Sequence, residues 1–178
     1  ISLLLFSSVI SVLLAVNSGP AFWGTLERGE GLITLLSYLI LFFIAQSVFN
    51  QKNWIDFFKA VTAIGLWIAL YGVLQHFGLK SIPFAPLIGP GARPESYIGN
   101  AAFLSAYLML VIASALMVFR AASLEEKTKK EEPGGKDSFW KFLSILTIVI
   151  SILSIFLTST RGAILGLFTG TIGLLLFY

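Results

Sequence analysis

The sequence contains no cysteine and only one histidine among its 178 residues. Without cysteine there are no disulfide bonds and no thiolate metal ligands, and a lone histidine excludes a histidine-cluster metal site within this segment. Charged residues are also scarce, at 12% against about 25% in an average soluble domain. We therefore expect neither a bound metal nor a cofactor, and we do not expect a soluble protein.

Apolar residues take the place of the missing charge: 57% of the chain is hydrophobic and its mean hydropathy is +0.90. Six apolar segments lie near residues 1–16, 31–49, 58–76, 101–119, 142–158 and 162–178. A membrane-spanning helix needs about 20 residues. The sequence therefore predicts an all-α, polytopic transmembrane helical bundle with about six spans, forming a single domain.

The two ends of the sequence are unusual for a complete membrane protein. The first apolar segment is short for a span, and a signal peptide is its alternative, although no basic region precedes it. The sequence begins at Ile1 without a methionine and ends at Tyr178 inside an apolar run. We expect it to be part of a longer chain.

The positive charges are distributed unequally between the two sets of loops. Cytoplasmic loops are enriched in Lys and Arg, which predicts the orientation of the spans. One set carries eight positive residues: Lys52, Lys59, Arg120, Lys127, Lys129, Lys130, Lys136 and Lys141. The other carries four: Arg28, Lys80, Arg93 and Arg161. The first set is predicted to face the cytoplasm, and this scatter over loops argues against a nucleic-acid partner.

The segment 120–141 contains lysines and carboxylates in alternation and the helix-breaking run Pro133-Gly134-Gly135. Charge runs of mixed sign usually only keep a loop hydrated. We interpret it as a charged cytoplasmic linker.

Three arginines mark the predicted outer side. Arg28 precedes the second span, Arg93 precedes the fourth and Arg161 opens the sixth, so three guanidinium groups and three positive helix ends are expected in one layer. The planar, permanently charged guanidinium group of arginine can donate two parallel hydrogen bonds to phosphate oxygens, which the ammonium group of lysine cannot do. The pattern favours an anion site at this face.

Each arginine also has a simpler explanation. Arg28 has Glu27 and Glu30 beside it and could form a surface ion pair, and Arg93 could pair with Glu95. No carboxylate lies within twenty residues of Arg161. The simpler explanation of Arg161 is therefore that its long side chain extends to the membrane interface and anchors the helix there. Arg161 is the strongest candidate for a ligand contact.

Polar and small residues support these arginines. Ser159 or Thr160 could cap a helix that starts at Arg161, and Gly162 begins a glycine row on that helix. Asn100 is placed to cap the fourth span. His76 could act in acid–base chemistry, but a hydrogen-bonded interface histidine is the preferred interpretation.

The fifth span carries a row of hydroxyl residues at spacings of three and four: Ser144, Thr147, Ser151, Ser154 and Thr158. Such rows usually mediate close helix packing in membranes. The alternative is that they line a substrate groove that ends at Arg161. No charged residue lies in the middle of a span, which argues against a pump or a secondary carrier.

Three motifs in this order resemble the O-antigen ligase and O-antigen polymerase superfamily of bacterial membrane proteins. They are LYGVLQHFGL at 70–79, YIGNAAFLSAYLML at 97–110 after Arg93, and LTSTRGAILGL at 157–167. The resemblance covers roughly residues 60–178. One motif departs from the family, because the usual GNPN is GNAA here.

The resemblance implies a GT-C-type glycosyltransferase of the bacterial inner membrane with its active site facing outward. Such an enzyme takes a glycan from an undecaprenyl-diphosphate carrier and gives it to lipid A-core sugar, a growing polysaccharide or a protein, without a metal. Arg161 matches the arginine of the family's SRG-like motif, Arg93 is a looser match, and Asn100 matches the asparagine that follows glycine. The family's catalytic histidine lies beyond Tyr178, and His76 does not match it.

Three other interpretations stay open from the sequence. A lipid-linked glycan transporter or flippase would also need outward arginines. The outward carboxylates Glu27, Glu30 and Glu95 would suit a metal-dependent oligosaccharyltransferase. A structural membrane subunit would use its serine and glycine faces only for packing.

Overall fold

The structure, a computed structural model, describes residues 2–25, 31–78, 91–128 and 135–177. Within these ranges the chain is all helical and contains no strand. The helices are α1 (Ser2–Leu13), α2 (Ser18–Trp23), α3 (Leu32–Val48), α4 (Gln51–His76), a short 3-10 helix (Ser96–Ile98), α5 (Ala101–Thr128), α6 (Gly135–Leu157) and α7 (Arg161–Phe177). The chain divides into two compact units, Ile1–Gln51 and Lys52–Tyr178.

A helix occupies each of the six predicted apolar segments, but the helices differ in length. Three of those in the described ranges, α4, α5 and α6, are long and apolar enough to cross a membrane. In contrast, α1 has 12 residues, and α3 and α7 have 17 each. At 1.5 Å per residue α1 is about 18 Å long, well short of a hydrocarbon core of about 30 Å. The all-helical fold is confirmed, whereas the count of six spans is not.

The first unit consists of α1, α2 and α3. Helix α2 contains no buried residue, and none of the residues of α3 is fully buried either. Large apolar side chains on these helices remain exposed, for example Leu3, Leu41 and Phe43. Apolar surface of this extent is what lipid or another protein covers.

The second unit is a bundle of α4 to α7 whose helices approach closely at glycines. A Cβ atom on Gly65 of α4 would lie 2.6 Å from Cγ2 of Val111 on α5. One on Gly72 would lie 2.9 Å from the Ser154 hydroxyl of α6. Since a side chain at either position would collide with a neighbouring helix, α4 packs backbone-close against α5 and α6, as small residues permit in membranes.

All four helices contribute to one apolar core in this second unit. Its buried members are Ala69, Leu104, Leu108, Ile112, Ile155 and Ala163. Outside the core, side chains such as Phe103 and Phe142 are more than 60% exposed and point away from the bundle. An apolar exterior around an apolar core is typical of a helical membrane protein.

The hydroxyl row of α6 faces inward. All five of its residues have no exposed surface. Two of the hydroxyl groups form hydrogen bonds within α6: those of Ser144 and Thr147 donate to the backbone carbonyl oxygens four residues earlier, each at 2.8 Å. The row therefore packs against other helices, and the prediction of close packing is confirmed over that of an open groove.

The basic residues Lys59, Arg120 and Lys141 lie far along their helices from the ends of α4, α5 and α6 that are nearest in sequence to the arginine-bearing turns. From Lys59 to His76 on α4 there are 17 residue steps, from Asn100 to Arg120 along α5 there are 20, and from Lys141 to Thr158 along α6 there are 17. At 1.5 Å per step these distances are about 25–30 Å. This matches the thickness of a bilayer core of about 30 Å, so basic residues and helix ends at this separation suit its two surfaces.

The segment predicted as a linker, 120–141, is helical over most of its length. Helix α5 continues to Thr128 and α6 begins at Gly135. Asp137, expected in a hydrated loop, lies in the first turn of α6 and is only 9% exposed. A carboxylate near a helix N-terminus interacts favourably with the helix dipole, which explains why the helix extends past the apolar run. Pro133 and Gly134 lie outside the described residues.

Candidate functional site

Residues from three separate stretches of the chain meet at one end of the second unit. This end, here called the arginine end, comprises the last turn of α4, the segment 91–100, the turn 158–160 between α6 and α7, and Arg161. Hydrogen bonds connect the first three of these pieces directly. The candidate anion site is built from these elements.

Arg93 holds the turn between α6 and α7. Its Nε donates to the carbonyl oxygen of Thr158 at 2.6 Å, and its Nη2 donates to Oγ1 of Thr160 at 3.1 Å. Thr158 follows the last residue of α6, so its carbonyl is one of the groups that a helix leaves without an internal partner. A cation there also interacts favourably with the negative end of the helix dipole. Arg93 thus caps α6 and keeps three of its five guanidinium donors for other contacts.

The turn itself has a strained backbone. Ser159 adopts a φ of +53°, in the left-handed region that favours glycine. The other non-glycine residue with positive φ in the described ranges is Ser96, at +51°. Both belong to the arginine end, and backbone strain of this kind concentrates at functional sites.

Thr160 precedes α7, where Ser159 or Thr160 was predicted to cap the helix. Its carbonyl accepts the first helical bond, from Ile164 N at 3.1 Å. Its hydroxyl accepts from Arg93 and lies 3.5 Å from the Thr158 carbonyl. The hydroxyl is therefore directed at the turn, and it does not cap the first amides of α7.

Arg161 stands at the first position of α7 and is exposed to solvent. A cation at a helix N-terminus faces the positive end of the dipole, which costs about 0.3–1 kcal/mol. Among the described residues no carboxylate forms an ion pair with Arg161 or with Arg93. The alternative in which Arg93 pairs with Glu95 is therefore not what this part of the chain shows, since its guanidinium bonds the turn instead.

Two helices start at the arginine end, and they differ in whether their amides are capped. Asn100 caps α5: its Oδ1 accepts from Ala102 N at 2.8 Å and from Phe103 N at 3.4 Å. The prediction of an N-cap at Asn100 is confirmed. No described side chain accepts from the first amides of α7, and Gly162 has nothing within 4 Å of where a side chain would start. The open, positive helix end is therefore that of α7.

Gln75 is a residue of this end that sequence reasoning missed. It is 2% exposed, and its Oε1 accepts two backbone amides, Glu95 N at 3.0 Å and Ser96 N at 2.8 Å. Ser96 in turn donates from its hydroxyl to the Ile68 carbonyl of α4 at 2.9 Å. A glutamine in an otherwise apolar helix end was the available signal, because a buried amide needs partners.

His76 fixes the start of the same segment. Its Nδ1 lies 3.0 Å from the Ala92 carbonyl, and its own carbonyl accepts from Gly91 N at 2.9 Å. Because a carbonyl oxygen only accepts, Nδ1 carries the hydrogen in this contact. The geometry agrees with the interpretation of His76 as a hydrogen-bonded histidine, and it also places the ring beside the residue that precedes Arg93.

Two of the remaining predictions cannot be located at the arginine end. Arg28 lies outside the described residues. The glycine row of α7 is in contact with another helix only at Gly166, whose side-chain position would meet Cε of Met109 at 3.0 Å, while Gly170 faces open space. Among the described residues, no group of three His, Asp or Glu side chains is close enough to hold a metal ion.

The first unit has a concave feature of its own. An open groove of about 690 Å³ lies between α1, α2 and α3 and is lined by both hydroxyl and apolar side chains, including Ser11, Leu35 and Tyr38. Neither Arg93 nor Arg161 lines this groove. We base the site on the arginine end, because cations, a capped helix end and an open helix end meet there.

The fold and the site together define a helical membrane protein with a cationic cluster at one end of its bundle. Comparison of the chain with protein-family models, with curated proteins and with solved structures finds no match. The family and the activity are therefore argued from the residues alone.

Proposed function

We propose that this protein is a membrane glycosyltransferase of the bacterial inner membrane, with about six spans. It moves a glycan from an undecaprenyl-diphosphate carrier to an acceptor at the outer face. The observation that carries this proposal is the contact of Arg93 with the turn that leads directly into Arg161. Two guanidinium groups and the open end of α7 thereby belong to one site.

The charge of this site suits a diphosphate. The guanidinium of Arg161 lies at the positive end of the α7 dipole, and the two positive charges repel each other. An anion bound there would be attracted by both and would offset their repulsion. Arg93 has donors left after its two contacts with the turn. A diphosphate has enough oxygen atoms to accept from both guanidiniums and from the α7 amides at once.

The reaction follows from this arrangement. The acceptor hydroxyl oxygen attacks the anomeric carbon of the glycan, the bond from that carbon to the diphosphate oxygen breaks, and undecaprenyl diphosphate leaves with the electron pair. The site stabilises the charge that develops on the leaving diphosphate. The proton of the acceptor passes to a general base. By the family resemblance that base is a histidine, and His76 does not match its place in the family's motifs.

The test is transfer in vitro from purified undecaprenyl-diphosphate glycan to lipid A-core, polysaccharide and protein acceptors. We expect a new glycosidic bond on one of them and release of undecaprenyl diphosphate. Transport of the lipid-linked glycan across proteoliposomes without bond formation would identify a flippase instead. Activity lost in EDTA and restored by a divalent cation would favour the metal-dependent oligosaccharyltransferase.

The matched variants are Arg161→Lys and Arg120→Lys. Both remove a guanidinium and keep a positive charge, but Arg120 lies in α5 about 30 Å along the helix from the arginine end. We expect transfer to be lost only with Arg161→Lys. Equal activity of the two variants would remove Arg161 from the site.

A further inference from the structure

The backbone on both sides of Arg93 is attached to α4. Before it, Ala92 accepts from the His76 ring at 3.0 Å. After it, Pro94 is fully buried, and its Cβ lies 3.8 Å from the position that a Cβ on Gly72 would take. The main chain that carries Arg93 therefore has little freedom to move relative to α4.

The strongest of these attachments is the side chain of Gln75. Its one oxygen accepts the amides of two consecutive residues, Glu95 and Ser96, and so uses both of its lone pairs. Ser96 has the left-handed φ of +51° and no exposed surface. A serine keeps such a conformation only where its surroundings determine it, and here Gln75 and the Ile68 carbonyl do so.

Arg93 transmits this constraint to the next helices. It contacts the turn through the Thr158 carbonyl and the Thr160 hydroxyl, 65 and 67 positions further along the chain. That turn contains the second left-handed serine, Ser159, and leads straight into Arg161. Hydrogen bonds, together with the backbone between Arg93 and Ser96, thus connect the end of α4 to the turn before α7.

We infer that Gln75 is a positioning residue, which sets the diphosphate site through the segment 94–96, Arg93 and the turn 158–160. It needs no contact with the substrate for this role. The inference rests on the proposed function for its effect on catalysis. The physical coupling between Gln75 and the turn holds whatever the site binds.

Gln75→Met tests the role directly, because methionine keeps the length of the side chain and removes its acceptor oxygen. We expect KM for the lipid diphosphate to rise about tenfold and kcat to fall as well, because a displaced site binds the diphosphate less tightly and stabilises less of the charge that develops on it as it leaves. Gln75→Glu has an acceptor oxygen in either protonation state and should return KM towards the wild-type value. Gln51→Met, at the exposed first position of α4, is the matched control and should leave both constants unchanged.

A double variant separates positioning from a general effect on folding. If Gln75 acts through Arg93, then Gln75→Met should add nothing to KM once Arg93→Met has been made, because the group to be positioned is gone. Independent contributions that multiply in the double variant would overturn the inference. So would a wild-type KM in Gln75→Met.

Hydrogen exchange of the purified protein gives a readout that does not depend on activity. Gln75→Met should accelerate amide exchange both in 91–100 and in 158–164, whereas Arg93→Met should accelerate it in 158–164 more than in 91–100. If the wild-type protein transfers no glycan, the proposed function fails and this measurement alone decides the inference. Unchanged exchange in 158–164 in both variants would refute it. Should Gln75→Met not fold, Arg93→Met still tests the connection from Arg93 to the turn.

Discussion

Gly65→Ala tests how closely α4 and α5 approach in the bundle. The new methyl carbon would lie 2.6 Å from Cγ2 and 3.1 Å from Cβ of Val111, and it would also contact Cγ1. Carbon atoms pack best at about 3.5–4.0 Å, so the overlap is about 1 Å. Rotation of Val111 does not relieve it, because both methyl groups are in contact and a helical valine strongly prefers one rotamer.

The expected magnitude is the difference of two effects. Overpacking of this kind costs about 1–3 kcal/mol, while alanine is favoured over glycine in a helix by about 1 kcal/mol. Subtracting the second effect from the first, we expect Gly65→Ala to lower the free energy of unfolding by about 0–2 kcal/mol. Gly72→Ala is the matched control on the same helix. Its nearest neighbour is the Ser154 hydroxyl at 2.9 Å, which can rotate away, so the helix preference for alanine should leave the protein as stable as the wild type or up to about 1 kcal/mol more stable.

The assay is reversible unfolding in mixed micelles of increasing SDS content, followed by circular dichroism. A double-mutant cycle with Val111→Ala isolates the collision, because shortening Val111 makes room for the new methyl group. We expect a favourable coupling of about 1 kcal/mol or more between the two substitutions. A cycle without coupling between Gly65→Ala and Val111→Ala would refute the close approach of α4 and α5.

Three further predictions concern the arginine end and α6. Arg161→Gln should weaken binding of a lipid diphosphate about tenfold or more, since charge-assisted hydrogen bonds contribute about 1.5–3 kcal/mol each, and isothermal titration with the carrier lipid measures it. Asn100→Ala should lower stability by about 1 kcal/mol in the SDS assay by removing the cap of α5, whereas Asn100→Ser should retain most of it. Ser154→Ala should be neutral or stabilising by up to about 1 kcal/mol, because the buried Ser154 hydroxyl has no hydrogen-bond partner among the described residues. A large loss of stability in Ser154→Ala would show that this hydroxyl is bonded in the membrane.

The sequence predicted the helices and their approximate positions because apolar length is a local property. The same property did not predict how far each helix extends. Helix α4 begins at Gln51 and α6 at Gly135, seven residues before the apolar segments predicted at 58 and 142. Polar residues such as Asn53 and Asp137 continue a helix without contributing to its hydropathy. The number of spans remains a prediction, because an apolar segment need not form a helix of full spanning length, as α1 shows.

Local capping was also predictable, whereas the contacts between distant segments were not. Asn100 precedes α5 and accepts hydrogen bonds from residues two and three positions further on, so its role as a cap can be predicted from the local sequence. Arg93 has a carboxylate two residues away, which made an ion pair the obvious alternative. Its actual partners belong to the turn after α6, and no local pattern indicates them. The same is true of Gln75, whose two amide donors lie twenty residues further on.

The separation of Arg93 from its partners has a consequence for how the protein is made. Helices enter the membrane in order during synthesis, so α4 and α5 are in place while the residues that Arg93 will bond have not yet been translated. A nascent chain at that stage contains Gln75 and Arg93 but neither the turn 158–160 nor Arg161. The arginine end is completed only once the turn and α7 have been made, so a shorter chain lacks the contacts by which Arg93 caps α6.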